Sequence, residues 1–148
     1  MAAHDFPAKS LELEITESMA LSDVIHSIET VQQLKSIGAR ISVDDFGTGH
    51  SSLSYLRRFD IDYIKIDRSF VAGIGMERSD ETIVKAIIAM GHSLGLSIVA
   101  EGVETRRQFD FLKAHGCDRV QGFFFSRPLE AAALEHLMNK RGTFTQAG

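Results

Sequence analysis

The feature that most constrains this chain is the two-faced character of its strand-like segments. Five short apolar runs, LELEIT, ARISVDD, DYIKID, LSIVAEG and DRVQGFFF, alternate with amphipathic helical stretches. Repeated βα units imply a parallel sheet covered by helices. When both faces of such a sheet are buried, its strands read as nearly continuous Val, Ile and Leu. Here one face carries Leu11, Leu13, Ile15, Ile41, Val43, Ile64 and Ile66, while the alternate face carries Glu12, Glu14, Ser42, Asp44, Lys65, Glu101 and Gln121. Charges placed this way need a polar interior or a site at the strand ends, and a (β/α) barrel supplies both. The expected fold is α/β, a partial (β/α)8 barrel. A full barrel has eight strands over roughly 250 residues. The 148 residues offer five strands, so the expectation is about five βα units with the N-terminal ones missing.

The helical stretches carry their own punctuation. SDVIHSIETVQQLKSIG has Val24, Ile28, Val31 and Leu34 at helical spacing, Ser22 as an N-cap and Gly38 as its stop. SDETIVKAIIAMGHSLG carries Ile83, Val84, Ile87 and Ile88 and ends at Gly95. TRRQFDFLKAHG opens with Thr105 and Gln108 in capping-box spacing. A last helix follows Pro128, and the aperiodic tail 141–148 reads as flexible, within one domain spanning 1–148.

Composition excludes several functions. A net charge of −4 with scattered Lys and Arg gives no footprint for a nucleic-acid polymer. No apolar run approaches the ~20 residues of a membrane span, and residues 1–10 lack the apolar segment of a signal peptide. The single cysteine, Cys117, fits a reducing cytoplasm and reads as a small packed residue.

The stretch ISVDDFGTGHSSLSYL poses the chemical question. Two adjacent aspartates repel each other and are costly to desolvate, yet Asp44 and Asp45 end a strand and lead into a glycine- and serine-rich loop. If the strand tips converge, Glu14, Asp44, Asp45 and Glu101 form an oxygen-rich pocket suited to Mg²⁺ or Mn²⁺. The aspartate pair could share two metals about 3.5–4 Å apart that clamp a phosphate. Lys65 would orient the attacking water or steady the phosphate, Glu101 would accept a proton, and Gln121 would position by hydrogen bonding. Gly47 and Gly49 permit close backbone approach, while Thr48, Ser51 and Ser52 could hold the loop over the carboxylates. The plainer alternatives are solvated strand-end carboxylates, Lys65 paired with Asp45 or Asp67, and Gln121 as a core amide. The histidines lack zinc-ligand spacing. Phe123 to Phe125 read mostly as strand core, with one ring free to stack on a base at the rim.

In order and spacing, LELEITES, DDFGTGHSSLSYL, DYIKIDRSFV, VAEGVET and QGFFFSRPL resemble the C-terminal signatures of EAL-domain cyclic-di-GMP phosphodiesterases. The resemblance implies a modified (β/α)8 barrel that uses two Mg²⁺ or Mn²⁺ ions to convert cyclic di-GMP to linear pGpG. By motif it makes Glu14 a metal ligand, Asp44 the bridge between both metals, and Asp45 the completion of the second site. Glu17 matches the glutamate that anchors the loop containing Thr48. Lys65 and Glu101 match the residues that position or activate water, and Gln121 the glutamine of the site. Ser126 and Pro128 fall where the last loop meets a guanine, and His50 replaces a more usual Tyr. The family's Glu-Ala-Leu block, its phosphate-binding arginine and its metal-binding asparagine precede LELEITES. Residues 1–10 do not supply them, and LEAAAL at Leu129 lies in the last helix. The chain is therefore expected to be a C-terminal portion with little or no turnover alone, pairing through exposed barrel edges as a homodimer or with an N-terminal half. The alternative is a non-catalytic module that binds cyclic di-GMP or a protein partner.

Overall fold

The computed structural model describes residues 7–16, 19, 24–48, 56 and 58–141. After a short 3-10 turn at Ala8–Ser10 come β1 (Glu12–Thr16), α1 (Val24–Ser36), β2 (Arg40–Phe46), β3 (Tyr63–Ile66), α2 (Arg68–Gly73), α3 (Arg78–Ser93), β4 (Ser97–Ala100), α4 (Arg106–Ala114), β5 (Arg119–Val120) and α5 (Ala131–Arg141). All four strand pairings are parallel, and the spatial order β1-β2-β3-β4-β5 follows the chain without reversal. A doubly wound sheet reverses its order at a switch point. This one does not, so the architecture is that of a partial (β/α)8-type barrel with five parallel strands.

The alternation in the strands sorts the two faces. Ile41, Val43, Ile64, Ile66, Ile98 and Ala100 lie almost wholly out of solvent, packed with Val31 of α1, Val71 of α2, Val84, Ile87 and Ile88 of α3, and Leu112 of α4. The polar positions occupy the concave face. At its N-terminal edge the guanidiniums of Arg40 and Arg119 donate to the Tyr63 hydroxyl at 2.7 and 3.0 Å. Arg119 of β5 also lies 3.8 Å from Glu12 of β1, so the terminal strands of the sheet reach each other across the concavity.

Local signals account for most boundaries. The capping box forms, with the Gln108 amide N–H donating to Thr105 Oγ1 at 3.2 Å and the Thr105 N–H donating to Gln108 Oε1 at 2.9 Å. Gly38 ends α1's turn with φ +92°. Ser22, Gly49, His50, Ser51, Ser52 and residues 142–148 lie outside the described residues. Two expectations are corrected. β5 stops at Val120, so Phe123 to Phe125 are not strand core but turn. The cause is at Gly122, where a Cβ would meet the Val103 carbonyl oxygen at 2.2 Å. The backbone leaves the ladder to pack on that loop. The other is α2, an unexpected short helix capped by Asp67, whose carboxylate accepts the Ser69 N–H at 2.9 Å.

Asp118 ties the outer layer together: one of its oxygens meets the Ile98 N–H at 2.7 Å and His92 Nε2 at 2.8 Å. Partial burial opposes its ionisation, but these donors prevail and hold its carboxyl below the usual carboxylate range. A depressed folded-state pKa contributes stability above the unfolded pKa that is lost as pH falls through the folded one. Asp118→Ala is expected to cost about 1–2 kcal/mol in urea unfolding at pH 7. The gap to the unaltered chain should narrow below about pH 4. Beside it, burial pushes the Cys117 thiol up to about 11, and the sulfur lies 3.1 Å from the Arg119 carbonyl oxygen. Iodoacetamide at pH 7.5 should label Cys117 at least tenfold more slowly in the folded chain than in urea.

Candidate active site

The concave face converges at the C-terminal ends of its strands on one ammonium. Lys65, the third residue of β3, is nearly inaccessible at 5%. Its Nζ lies 2.6 Å from Glu14 Oε1 of β1, 2.7 Å from Glu101 Oε1 just beyond β4, and 3.2 Å from Asp44 Oδ1 of β2. Burial alone pulls the Lys65 pKa down; hydrogen bonds to Glu101, Glu14 and Asp44 outweigh it and hold the ammonium above the ordinary lysine range. Lys65 thus pairs with these three carboxylates rather than with Asp45 or Asp67. Asp44 Oδ1 is enclosed and, apart from that ion pair, has no hydrogen-bond partner among the described residues.

The backbone explains how neighbouring aspartates serve one site. Successive residues of a strand point to opposite faces. Pairing of β2 with β3 shifts register between Val43 and Phe46, a bulge that sets two residues, Asp44 and Asp45, against the single Lys65 of β3. Within it Asp45 takes φ +56°, the left-handed region that aspartate tolerates better than most residues. The alternation is broken, and Asp45 lies among Asp44, Asp67 and Lys65. Desolvation, the charges of Asp44 and Asp67, and a hydrogen bond to Asp67 raise its pKa against the pull of Lys65. Asp67, in the sequence no more than a possible partner of Lys65, is thereby a member of the cluster. Its carboxyl is held low, because partial burial is outweighed by the Ser69 hydroxyl and the Ser69 and Arg68 N–H groups. The clue was its position two residues after Lys65 on the same strand end.

The remaining expected residues are less engaged. Gln121 is exposed and not a core amide; its backbone N–H donates to Ala100 O at 2.8 Å and its carbonyl accepts from Val103 N at 3.0 Å. Thr48 Oγ1 donates to the Asp45 carbonyl at 2.8 Å, closing the turn on the bulge. Ser126 Oγ donates to the Arg127 carbonyl at 2.7 Å. Pro128 is exposed in extended chain. Glu17 lies outside the described residues.

As a donor set the cluster is hard and anionic, the chemistry that Mg²⁺ and Mn²⁺ take. The otherwise unpartnered Asp44 Oδ1 suits a cation. Among the described residues, however, no three Asp, Glu, His or Cys groups are gathered closely enough to hold an ion by themselves. Lys65 supplies the positive charge at the centre.

A partial barrel with carboxylates gathered at the C-terminal ends of its strands defines the class, and the comparisons define the family. The EAL domain family matches residues 1–128, and the chain belongs to it. It is 49% identical over 135 residues to the signaling protein YkoW of Bacillus subtilis, covering 91% of this chain and 17% of that protein. It is 48% identical over 128 residues to the cyclic di-GMP phosphodiesterase NbdA of Pseudomonas aeruginosa, covering 86% and 16%. Among solved structures, the PaMucR phosphodiesterase in complex with c-di-GMP superposes with a TM-score of 0.86 at 46% identity, over 88% of this chain and 53% of that one. The EAL domain of Mycobacterium smegmatis DcpA gives 0.83 at 45% identity, over 90% and 60%. The chain therefore spans under a fifth of these curated relatives and little more than half of these solved chains.

Removing the ammonium would leave three carboxylates facing one another. Lys65→Met is expected to lose about 3 kcal/mol in urea unfolding.

Proposed function

We propose that this chain carries the catalytic face of a cyclic-di-GMP phosphodiesterase, which cleaves one phosphodiester to give linear pGpG. The observation that carries the reading is the convergence of Glu14, Asp44 and Glu101 on Lys65, with Asp45 and Asp67 beside them. It is supported by relatives named for this activity and by solved EAL structures bound to the dinucleotide, among them Klebsiella pneumoniae BlrP1 with manganese and cy-diGMP at 34% identity.

Glu14, Asp44 and Asp45 would hold two Mg²⁺ or Mn²⁺ ions, which when bound supply Lewis acidity and neutralise the phosphate. The chain's own groups set the rest. An ammonium that donates to three carboxylates has no lone pair, so Lys65 orients and balances charge but does not act as the base. Proton acceptance falls to Glu101, held in place by its 2.7 Å contact with Lys65. Water oxygen bonds to phosphorus as its proton passes to Glu101, the P–O3′ bond breaks, and that proton, handed on from Glu101 through solvent, ends on O3′ as the hydroxyl. Gln121, whose backbone bonds to Ala100 and Val103 on either side of Glu101, would serve as a hydrogen-bonding positioner at the scissile phosphate. Glu17 and Thr48 would hold the loop after the aspartate pair, and Ser126 and Pro128 would contact a guanine.

Because the three carboxylates gather on the Lys65 ammonium, and no three Asp, Glu, His or Cys groups among the described residues are spaced to hold a metal ion by themselves, turnover by these 148 residues alone is expected to be slow. That observation also favours a second reading, a module that binds the dinucleotide without cutting it. Pairing of two chains through the sheet edges β1 and β5, in the cytoplasm, completes the proposal. No described helix is long and apolar enough to cross a membrane.

Cyclic di-GMP incubated with the chain and Mn²⁺ should yield pGpG on ion-exchange chromatography. EDTA should abolish it, and Glu101→Gln should slow it by about a hundredfold or more. Calorimetric binding without pGpG would favour the second reading, and neither binding nor product would refute both.

A further inference from the structure

One layer below the carboxylates, toward the N-terminal ends of the strands, the concave face changes sign. Arg40 opens β2, Tyr63 opens β3 and Arg119 opens β5. Arg40 Nη1 donates to the Tyr63 hydroxyl at 2.7 Å, and Arg119 Nη2 donates to the same oxygen at 3.0 Å. The Arg119 guanidinium also lies over the Tyr63 ring, 4.4 Å from its centroid. Tyr63 is buried, whereas both arginines are exposed.

Ser97 explains how Arg119 reaches so far. It is the β4 residue registered against Tyr63, and it faces the hollow because its neighbour Ile98 is sealed in the apolar layer. A side chain that small leaves Arg119 a path over β4 to Tyr63. The result concentrates charge, since two cations brought onto one neutral oxygen repel each other. Glu12 offsets only part of this: its carboxylate stands 3.8 Å from Arg119, and no carboxylate pairs with Arg40 among the described residues. A phenolic oxygen that accepts two N–H groups has both lone pairs engaged, so its own proton points away from both guanidiniums. The group therefore offers donors: one hydroxyl and the remaining N–H groups of two planar forks.

We propose that Arg40, Tyr63 and Arg119 form a binding site for an oxyanion of the phosphate class, at the opposite end of the concave face from the carboxylates. It stands independently of the phosphodiesterase reading. Guanidinium forks match phosphate oxygens two at a time. A tetrahedral phosphate presents more acceptor directions than a planar carboxylate, and donors arriving from three strands use them. Tyr63 precedes Lys65 by two residues on the same face of β3, so an anion here sits about 7 Å along the strand from that ammonium. Glu12 opposes the anion by its charge, and the two arginines outweigh it.

Calorimetric titration of the chain with inorganic phosphate, in buffer free of divalent metal, tests the assignment. Arg40→Gln and Arg119→Gln should each weaken phosphate binding by about tenfold or more, and Tyr63→Phe, which keeps the ring under Arg119, by about threefold. Glu12→Gln should tighten it by about threefold. Acetate should bind about tenfold more weakly than phosphate. Unchanged melting temperatures without phosphate exclude a folding defect, and the Glu12→Gln arm tests the site even where an arginine variant does not fold. The assignment is overturned if no binding is detected up to about 20 mM phosphate, if both arginine variants bind as the unaltered chain does, if Glu12→Gln weakens binding, or if acetate binds as tightly as phosphate.

Discussion

The concave face is habitable for so many carboxylates because of one buried ammonium. Lys65 meets Glu14, Asp44 and Glu101 at 3.2 Å or closer, and each comes from a different strand end. Unopposed, like charges at this separation would force protonation or push the strands apart. With Lys65 between them the repulsion is offset, and the strand tips are drawn toward a common point. The ion pairs are therefore weak evidence of stability in their own right. Their effect is on geometry, fixing where negative charge is concentrated.

Stability resides on the other face. The outward positions of β2, β3 and β4 form an apolar sheet against α1 to α4, with Ile41, Ile64, Ile66 and Ile98 sealed from water. The division lets the inner residues be chosen for charge. It also explains the Arg40–Tyr63–Arg119 group at the opposite edge, where two guanidiniums share one phenolic oxygen and Glu12 balances part of their charge.

Much of this was legible in the sequence. A period of two separates apolar from charged positions in the strands, and that alone indicates both the packed side and the functional side. Ser, Thr and Gly punctuation located α1, α3 and α4 to within a residue or two wherever their ends are described. What escaped were features governed by close approach between segments distant in sequence. Phe123 to Phe125 have the composition of a strand, yet Gly122 must pass against Val103, and this diverts the chain. Asp67 stood out only as a possible partner of Lys65, because its place beside Asp45 depends on a bulge one strand away. The plainer reading of Gln121 as a core amide fails because β5 is too short to enclose it.

The bulge in β2 carries one more implication. Because Asp44 and Asp45 occupy a place that an unbroken ladder would give to fewer residues, β2 is out of step with β3 on either side of them. Deleting Asp45 would heal the pairing and leave Phe46 opposite Ile66 in the apolar layer, but the strand would then present one carboxylate where it now presents two. Length changes that a nearby surface loop could absorb are therefore forbidden here: the spacing between Val43 and Phe46 is as much a determinant of the site as the carboxylates it displays.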